Sequence, residues 1–183
     1  MLRLLAFLVL LLSTGPVLAQ DAVLVAPRCP DPPPSVDGRL GEWQASRWGR
    51  VIETRQHATF GAEHWKGAGD LSARVWFGWD AANLYLAADV RDDVVEQSLR
   101  AGALFRGDHI ELFVRTRPES RPADRFAEGD WQFGFSPGNF SSTGDPLADI
   151  APEGVVFWPA NTAVEGMRVA ALRTEAGYTL EAS

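Results

Sequence analysis

Three segments between residues 70 and 117 alternate between two faces, and this pattern constrains the fold more than any other feature. Apolar side chains recur at every second position over residues 73–79, 84–90 and 110–114, which is the period of half-buried β-strands. Residues 80–83, between the first two segments, form a connection short enough for a hairpin. We therefore predict three adjacent strands that share one aliphatic face and one face of aromatic and charged side chains.

Later stretches continue the strand pattern. Residues 131–135 alternate large aromatic side chains with Gln and Gly, and residues 167–172 and 178–182 predict a second hairpin. Residues 40–43 have the spacing of one helical turn, which we expect to close one end of the sheet. The sequence thus predicts an all-β fold, an antiparallel β-sandwich with an immunoglobulin-like or jelly-roll-like two-sheet architecture.

The chain divides into three predicted parts. In residues 1–19, Arg3 precedes an apolar run and a small-residue cleavage site, which predicts a signal peptide cleaved near Ala19. The run is shorter than the roughly 20 residues that cross a bilayer, so we expect a secreted, periplasmic or extracellular protein without membrane insertion. Residues 20–34 are rich in Pro and predict an extended linker. Residues 35–183 form the sandwich domain, which we expect to be incomplete at its C-terminus.

The charge balance narrows the class of partner. The chain has a formal net charge of -7 together with seven Trp and ten Phe residues. An acidic surface repels nucleic acid and anionic membranes, which excludes them as partners. Exposed aromatic rings are typical of binding surfaces. A neutral partner therefore fits this composition best.

Four ordered blocks of the sequence resemble the family 9 carbohydrate-binding module. They are Val36-Asp37-Gly38 with Glu42-Trp43, the hairpin of residues 73–90 with Asp92-Asp93, Gly107-Asp108-His109-Ile110-Glu111-Leu112-Phe113, and Gly177-Tyr178-Thr179-Leu180-Glu181. The resemblance covers residues 35–183. It implies a β-sandwich of the kind found beside xylanases and in other secreted bacterial proteins. It also implies non-catalytic binding of a saccharide or polysaccharide of the xylan or glucan class, with a link to polysaccharide catabolism.

The resemblance further implies a site. In sugar-binding members of the family, two Trp rings sandwich a terminal sugar, helped by a Glu and an Arg. The Glu falls on Glu111 and the first Trp on Phe105, whereas the Arg position falls on Gly134. The second Trp has no counterpart in this sequence. The implied site is therefore centred on Glu111 and keeps only part of the family's contacts.

The residues themselves suggest how a sugar could bind. A sugar ring has apolar C–H faces and a rim of hydroxyls, so binding takes an aromatic plate and charged hydrogen-bond partners. On the mixed face of the predicted sheet we assign Trp76 as the plate, Glu111 as hydroxyl acceptor and Arg74 as donor, with Gln132 beside them. We expect Trp158, in a late loop, to cover the ligand. Alternatively, Trp76 belongs to the core of a second sheet and Trp158 pins its loop to the sheet.

An independent enzyme activity is not expected. A glycosidase needs two carboxylates about 5–9.5 Å apart across one bond. Asp108 and Glu111 are three apart on one predicted strand, so they point to opposite faces. The sequence contains no Gly-x-Ser-x-Gly, His-Glu-x-x-His or phosphate-loop motif. A glycoside hydrolase activity would have to come from another part of a longer chain.

Cofactors and alternative functions stay open at this point. The resemblance allows structural calcium but no cofactor is predicted with certainty, and the residues define no metal ligand set. Related exported redox sandwiches carry haem, for which Met167, His109 and Lys66 are the available ligands. A third alternative is an interaction or scaffold domain of a surface protein without a small ligand. The oligomeric state is not predicted.

Overall fold

Eight strands form two antiparallel sheets in the computed structural model, which describes residues 26–44, 49–117, 125–141 and 143–183. The strands are β1 (Arg50–Ile52), β2 (Leu71–Trp79), β3 (Leu84–Asp92), β4 (Ile110–Arg115), β5 (Asp130–Ser136), β6 (Glu153–Trp158), β7 (Val169–Thr174) and β8 (Gly177–Ala182). One sheet has the order β1-β2-β3-β8-β7 and the other the order β4-β5-β6. The predicted all-β, two-sheet antiparallel architecture is confirmed. The predicted signal peptide lies outside the described residues.

The two predicted hairpins are present in the five-stranded sheet. β2 and β3 pair from Leu71↔Asp92 to Trp79↔Leu84, and β7 pairs with β8. The tight connection after β2 is held by Asp80, whose Oδ1 accepts hydrogen bonds from the backbone N–H groups of Ala82 and Asn83, both at 2.7 Å. The alternating pattern therefore predicted these strands because each has one face in the core.

The prediction that the third alternating segment adjoins the first two is wrong. Among the described strands β4 pairs with β5 alone, in the three-stranded sheet, and the connection from β3 crosses to that sheet. A period of two shows which side chains share a face of one strand, but not which strand lies beside it. The single mixed face expected to carry Arg74, Trp76, Glu111 and Gln132 is consequently divided between two sheets.

The main core lies between the sheets. It contains buried aliphatic and aromatic side chains from both: Leu71, Ala73, Val75, Leu86, Ala88, Val90, Phe135, Ala171, Tyr178, Leu180 and Ala182. The three-stranded sheet adds a ladder on β5, in which Trp131 stacks with Phe133 at 5.8 Å and Phe133 with Phe135 at 6.2 Å between ring centroids. Burial of these apolar faces is the principal force that holds the two sheets together.

The other face of the five-stranded sheet is also covered. The helical turn α1 (Gly41–Gln44) places Trp43 on this face, where it packs in a second cluster with Leu40, Trp76, Tyr85 and Ala87. The turn was expected at one end of the sheet and instead covers a face. It is anchored by Glu181, whose carboxylate accepts hydrogen bonds from the indole N–H of Trp43 at 2.8 Å and from two backbone N–H groups.

Two strands were not predicted. β1 has only three residues, and β6 is a nearly continuous apolar run without the alternation that identifies a half-buried strand. As a result Trp158, expected in a loop, is the last residue of β6. The described part of the predicted linker runs beside β2, with a parallel bridge between Arg28 and Trp79. In the described residues, β4 has no partner strand on its second edge.

Candidate functional site

Four of the six predicted site residues lie together at the three-stranded sheet. Its strands turn Ile110, Leu112 and Phe133 toward the core, so the side chains at alternate positions point away from it. We call this surface the outer face. It carries Glu111, Phe113 and Arg115 on β4, Gln132 and Gly134 on β5, and Val155, Phe157 and Trp158 on β6. Phe105 reaches the same surface from the connection that precedes β4.

Glu111 is held at the edge of the outer face by two neighbours. Its Oε2 accepts a hydrogen bond from the side-chain amide of Gln132 at 3.1 Å, and its Oε1 lies 3.2 Å from Nε2 of His109. The side chain of Glu111 is 11% exposed. Since each carboxylate oxygen has two lone pairs, acceptor capacity remains for hydroxyl donors from a ligand.

Phe105 lies on a 3-10 helix (Ala101–Arg106) that packs on β5 and β6. Its ring is 43% exposed and meets the ring of Phe157 edge-on, with 6.2 Å between centroids and 83° between planes. Leu104, the residue before it, is fully buried. The helix is therefore anchored by Leu104, while Phe105 stays accessible at the surface.

A second group of rings lies on the other side of Gln132. Trp158, which is 38% exposed, stacks on Phe126 at 5.4 Å, and Phe126 stacks on Phe113 at 6.0 Å. Phe126 comes from the loop between β4 and β5 and was not predicted as a site residue. The sequence feature that could have identified Phe126 is a large aromatic residue in an otherwise polar loop. Such a ring is unusual in a loop unless it packs against other side chains or a ligand.

Gly134 explains why no arginine stands at the centre of the outer face. A Cβ atom at this position would lie 2.4 Å from Cε2 of Phe157 and 3.2 Å from Cδ1 of Leu104. The space that a side chain would fill is thus occupied by the ring of Phe157. The donor that the resemblance implies at this position is replaced by an apolar surface.

The remaining two predicted residues lie elsewhere. Trp76 is 2% exposed and belongs to the cluster beneath α1, on the face of the five-stranded sheet that points away from the core. Arg74, on the same strand, is exposed opposite Asp89 of β3. The structure therefore does not bring Trp76 and Arg74 together with Glu111, and the alternative that Trp76 is a packed core residue describes its place.

The described residues form no cluster of three metal-binding side chains. No three His, Cys, Asp or Glu side chains among residues 26–44, 49–117, 125–141 and 143–183 converge as ligands, so calcium finds no ligand set there. Met167 packs toward Gly154 beside the core, whereas both ring nitrogens of His109 already face oxygen atoms. Lys66 lies before β2, near Asp70.

Two neighbouring acidic residues, Asp92 and Asp108, lie near the buried Tyr178. Burial and the neighbouring Asp92 carboxyl raise the pKa of Asp108 to about 7, and burial also raises the pKa of Asp92. Asp108 accepts a hydrogen bond from the backbone N–H of Glu96, and Asp92 accepts one from Val94 at 2.9 Å. This pair fixes the start of the connection that carries Phe105.

Comparison with protein-family models decides the family. The model described as "Carbohydrate family 9 binding domain-like" matches residues 36–183, which is most of the chain. The chain belongs to this carbohydrate family 9 binding domain-like family. A comparison with curated proteins found no match. The family match agrees with the four blocks of sequence and with the two-sheet architecture.

Membership of the carbohydrate family 9 binding domain-like family points to carbohydrate binding, and carbohydrate-binding modules are generally not catalysts. The matched residues 36–183 contain both sheets and all residues of the outer face. Within the described part of the chain, no helix is long and apolar enough to cross a membrane.

Proposed function

We propose that this protein is a non-catalytic module that binds a saccharide of the xylan or glucan class on the outer face of its three-stranded sheet. The observation that carries the proposal is the convergence of Glu111, Gln132, Phe105 and Trp158 on one surface of a family 9 binding domain-like fold. The signal peptide predicted in residues 1–19 supports a place outside the cytoplasm.

The chemistry of the outer face suits a neutral polyol. The partly exposed carboxylate of Glu111 offers acceptors for hydroxyl groups, and hydrogen bonds to a charged group contribute about 1.5–3 kcal/mol. The partly exposed rings of Phe105 and Trp158 belong to the same outer face and can contact the C–H groups of a sugar ring. Gln132 holds Glu111 in place and supplies a further amide oxygen.

The expected affinity is modest. Phe105 offers a smaller ring than Trp, and Gly134 offers no donor because Phe157 fills its side-chain space. With one charged acceptor and two ring contacts we expect a Kd of roughly 0.1–1 mM, equivalent to about -5.5 to -4 kcal/mol.

A glycan screen tests the proposal. The chain without residues 1–19 should be retained on xylan or on cellulose oligosaccharides, and Glu111→Ala should abolish this retention. Glu175→Ala is the matched control, since Glu175 is an exposed glutamate at the tip of the β7–β8 hairpin. Equal retention of the Glu111→Ala variant and the unaltered protein would reject the outer face as the binding surface.

A further inference from the structure

The environment of His109 goes beyond what carbohydrate binding alone explains. This residue directly precedes β4, and its side chain is 1% exposed, so its polar atoms must find partners inside the protein. Nδ1 lies 2.8 Å from the backbone oxygen of Gly107, and Nε2 lies 3.2 Å from Oε1 of Glu111. Both ring nitrogens therefore face oxygen atoms.

A proton count follows from these two contacts. The carbonyl of Gly107 can only accept, so Nδ1 carries a proton. The partner of Nε2 is the carboxylate oxygen Oε1 of Glu111. If Nε2 carried no proton, its lone pair would point at a lone pair of this oxygen, which is repulsive. One proton must therefore lie between Nε2 and Oε1, and imidazole is a stronger base than a carboxylate.

Glu111 is the ionised partner in this contact. Its second oxygen already accepts a hydrogen bond from the amide of Gln132, which favours the carboxylate over the carboxylic acid. A buried charge is stable only when it is paired and hydrogen-bonded, and the His109–Glu111 contact meets both conditions.

We propose that His109 is a positioning residue, present as the doubly protonated imidazolium, that fixes the carboxylate of Glu111 for saccharide binding. This inference rests on the proposed function and deepens it. His109 is too deeply buried to touch a ligand and acts through Glu111. With Oε1 held by His109 and Oε2 by Gln132, the remaining lone pairs of the carboxylate have fixed directions. A ligand therefore meets a preorganised acceptor.

Two acidic groups lie near the ring. Asp108 precedes His109 in the chain and interacts with it electrostatically, and Asp92 of β3 lies beside Asp108. Tyr178 of β8 faces both of these carboxyls.

Nitrogen-15 NMR of the imidazole rings tests the protonation state in the unaltered protein, without any variant. The chain has three histidines, and the signals of His109 are the pair that disappears in His109→Gln. We expect protons on both ring nitrogens, and loss of the Nε2 proton in Glu111→Gln. A neutral ring in the unaltered protein would overturn the inference.

A pair of substitutions tests the positioning role. The amide of Gln reaches the place of ring Nε2 and can still donate to Glu111, whereas the amide of Asn reaches only the place of Nδ1. His109→Gln should keep the saccharide affinity within about threefold, while His109→Asn should lose about tenfold or more, as for one hydrogen bond to a charged group. Denaturant unfolding of both variants establishes that they remain folded.

The outcomes separate the two proposals. Saccharide binding that His109→Asn leaves unchanged would overturn the positioning role alone. Absence of saccharide binding in the unaltered protein would overturn the proposed function, and the role of His109 in it, whatever the ring protonation. Loss in His109→Asn with rescue in His109→Gln supports both.

Discussion

Gln132 and Glu111 form a hydrogen bond of 3.1 Å between the central strand and the edge strand of the three-stranded sheet. They are not directly opposite in the register, since Glu111 is paired with Gly134 and Gln132 with Phe113. The contact is therefore diagonal across the two strands. It orients the carboxylate on a face that exposes aromatic rings on both sides.

The two exposed rings should contribute to affinity. Phe105→Ala and Trp158→Ala are each expected to weaken saccharide binding about fivefold to tenfold, or about 1–1.4 kcal/mol, because each removes an apolar contact with the sugar ring. Phe105→Trp, which restores the ring implied by the family resemblance, should strengthen binding about threefold through added contact area. Isothermal titration calorimetry measures all three changes.

Phe60→Ala is the control for the ring substitutions. Phe60 is an exposed ring in the segment between β1 and β2, outside the outer face. Its removal should leave the affinity unchanged. Equal losses in Phe60→Ala and Phe105→Ala would mean that the rings of the outer face have no special part in binding.

Gly134 should not tolerate a side chain. The Cβ of Gly134→Ala would meet the ring of Phe157 at 2.4 Å, so the ring must move and Phe105 loses its partner. We expect a fall of about 1–3 kcal/mol in the free energy of unfolding, the usual range for overpacking. Gly134→Arg should also fail to supply the implied donor.

Gly102→Ala provides the comparison for Gly134. No heavy atom lies within 4 Å of a Cβ at Gly102, in the 3-10 helix that carries Phe105. Its stability should stay within about 0.5 kcal/mol of the unaltered protein. Denaturant unfolding that showed equal stability for Gly134→Ala would refute the packing of Phe157 over Gly134.

The sequence predicts the faces of strands better than their neighbours. Alternation in β2, β3, β4 and β5 followed from burial of one face, and the structure confirms these strands. The sheet to which β4 belongs could not be predicted, because a crossover between sheets leaves the period unchanged. Trp76 shows the consequence. It was assigned to the same face as Glu111, but it lies on the five-stranded sheet, where α1 covers it.

Only part of the candidate site could be predicted from the sequence. Glu111 and Phe105 were found through the family blocks, and Gln132 through its position on an alternating strand. Phe126 was missed because its contact with Trp158 joins a loop to a strand far along the chain. His109 was considered only as a metal or haem ligand, since its bond to Gly107 depends on a backbone turn that side-chain patterns do not show.

Stability should depend on pH through Asp108. Its pKa is raised to about 7 in the folded protein by burial and by Asp92, while a free Asp titrates near 3.9. The folded state thus favours the protonated carboxyl. The stabilising contribution is complete below about pH 4 and is lost as the pH rises through about 7.

Asp108→Asn removes this titration while keeping an acceptor for the N–H of Glu96. Chemical unfolding of both proteins should show the variant gaining stability relative to the unaltered protein between about pH 4 and about pH 7. A constant difference across this range would mean that Asp108 is ionised in the folded state as it is in the unfolded chain.

The most direct test of the outer face as the saccharide site is an NMR titration of the indole N–H signals with xylan or cellulose oligosaccharides. The account predicts that the signal of Trp158 shifts with added saccharide, whereas those of Trp43 and Trp76, buried on the other sheet, stay in place. The same titration of Glu111→Ala should leave Trp158 unshifted. Saccharide-induced shifts at Trp43 or Trp76, with Trp158 unmoved, would contradict the account.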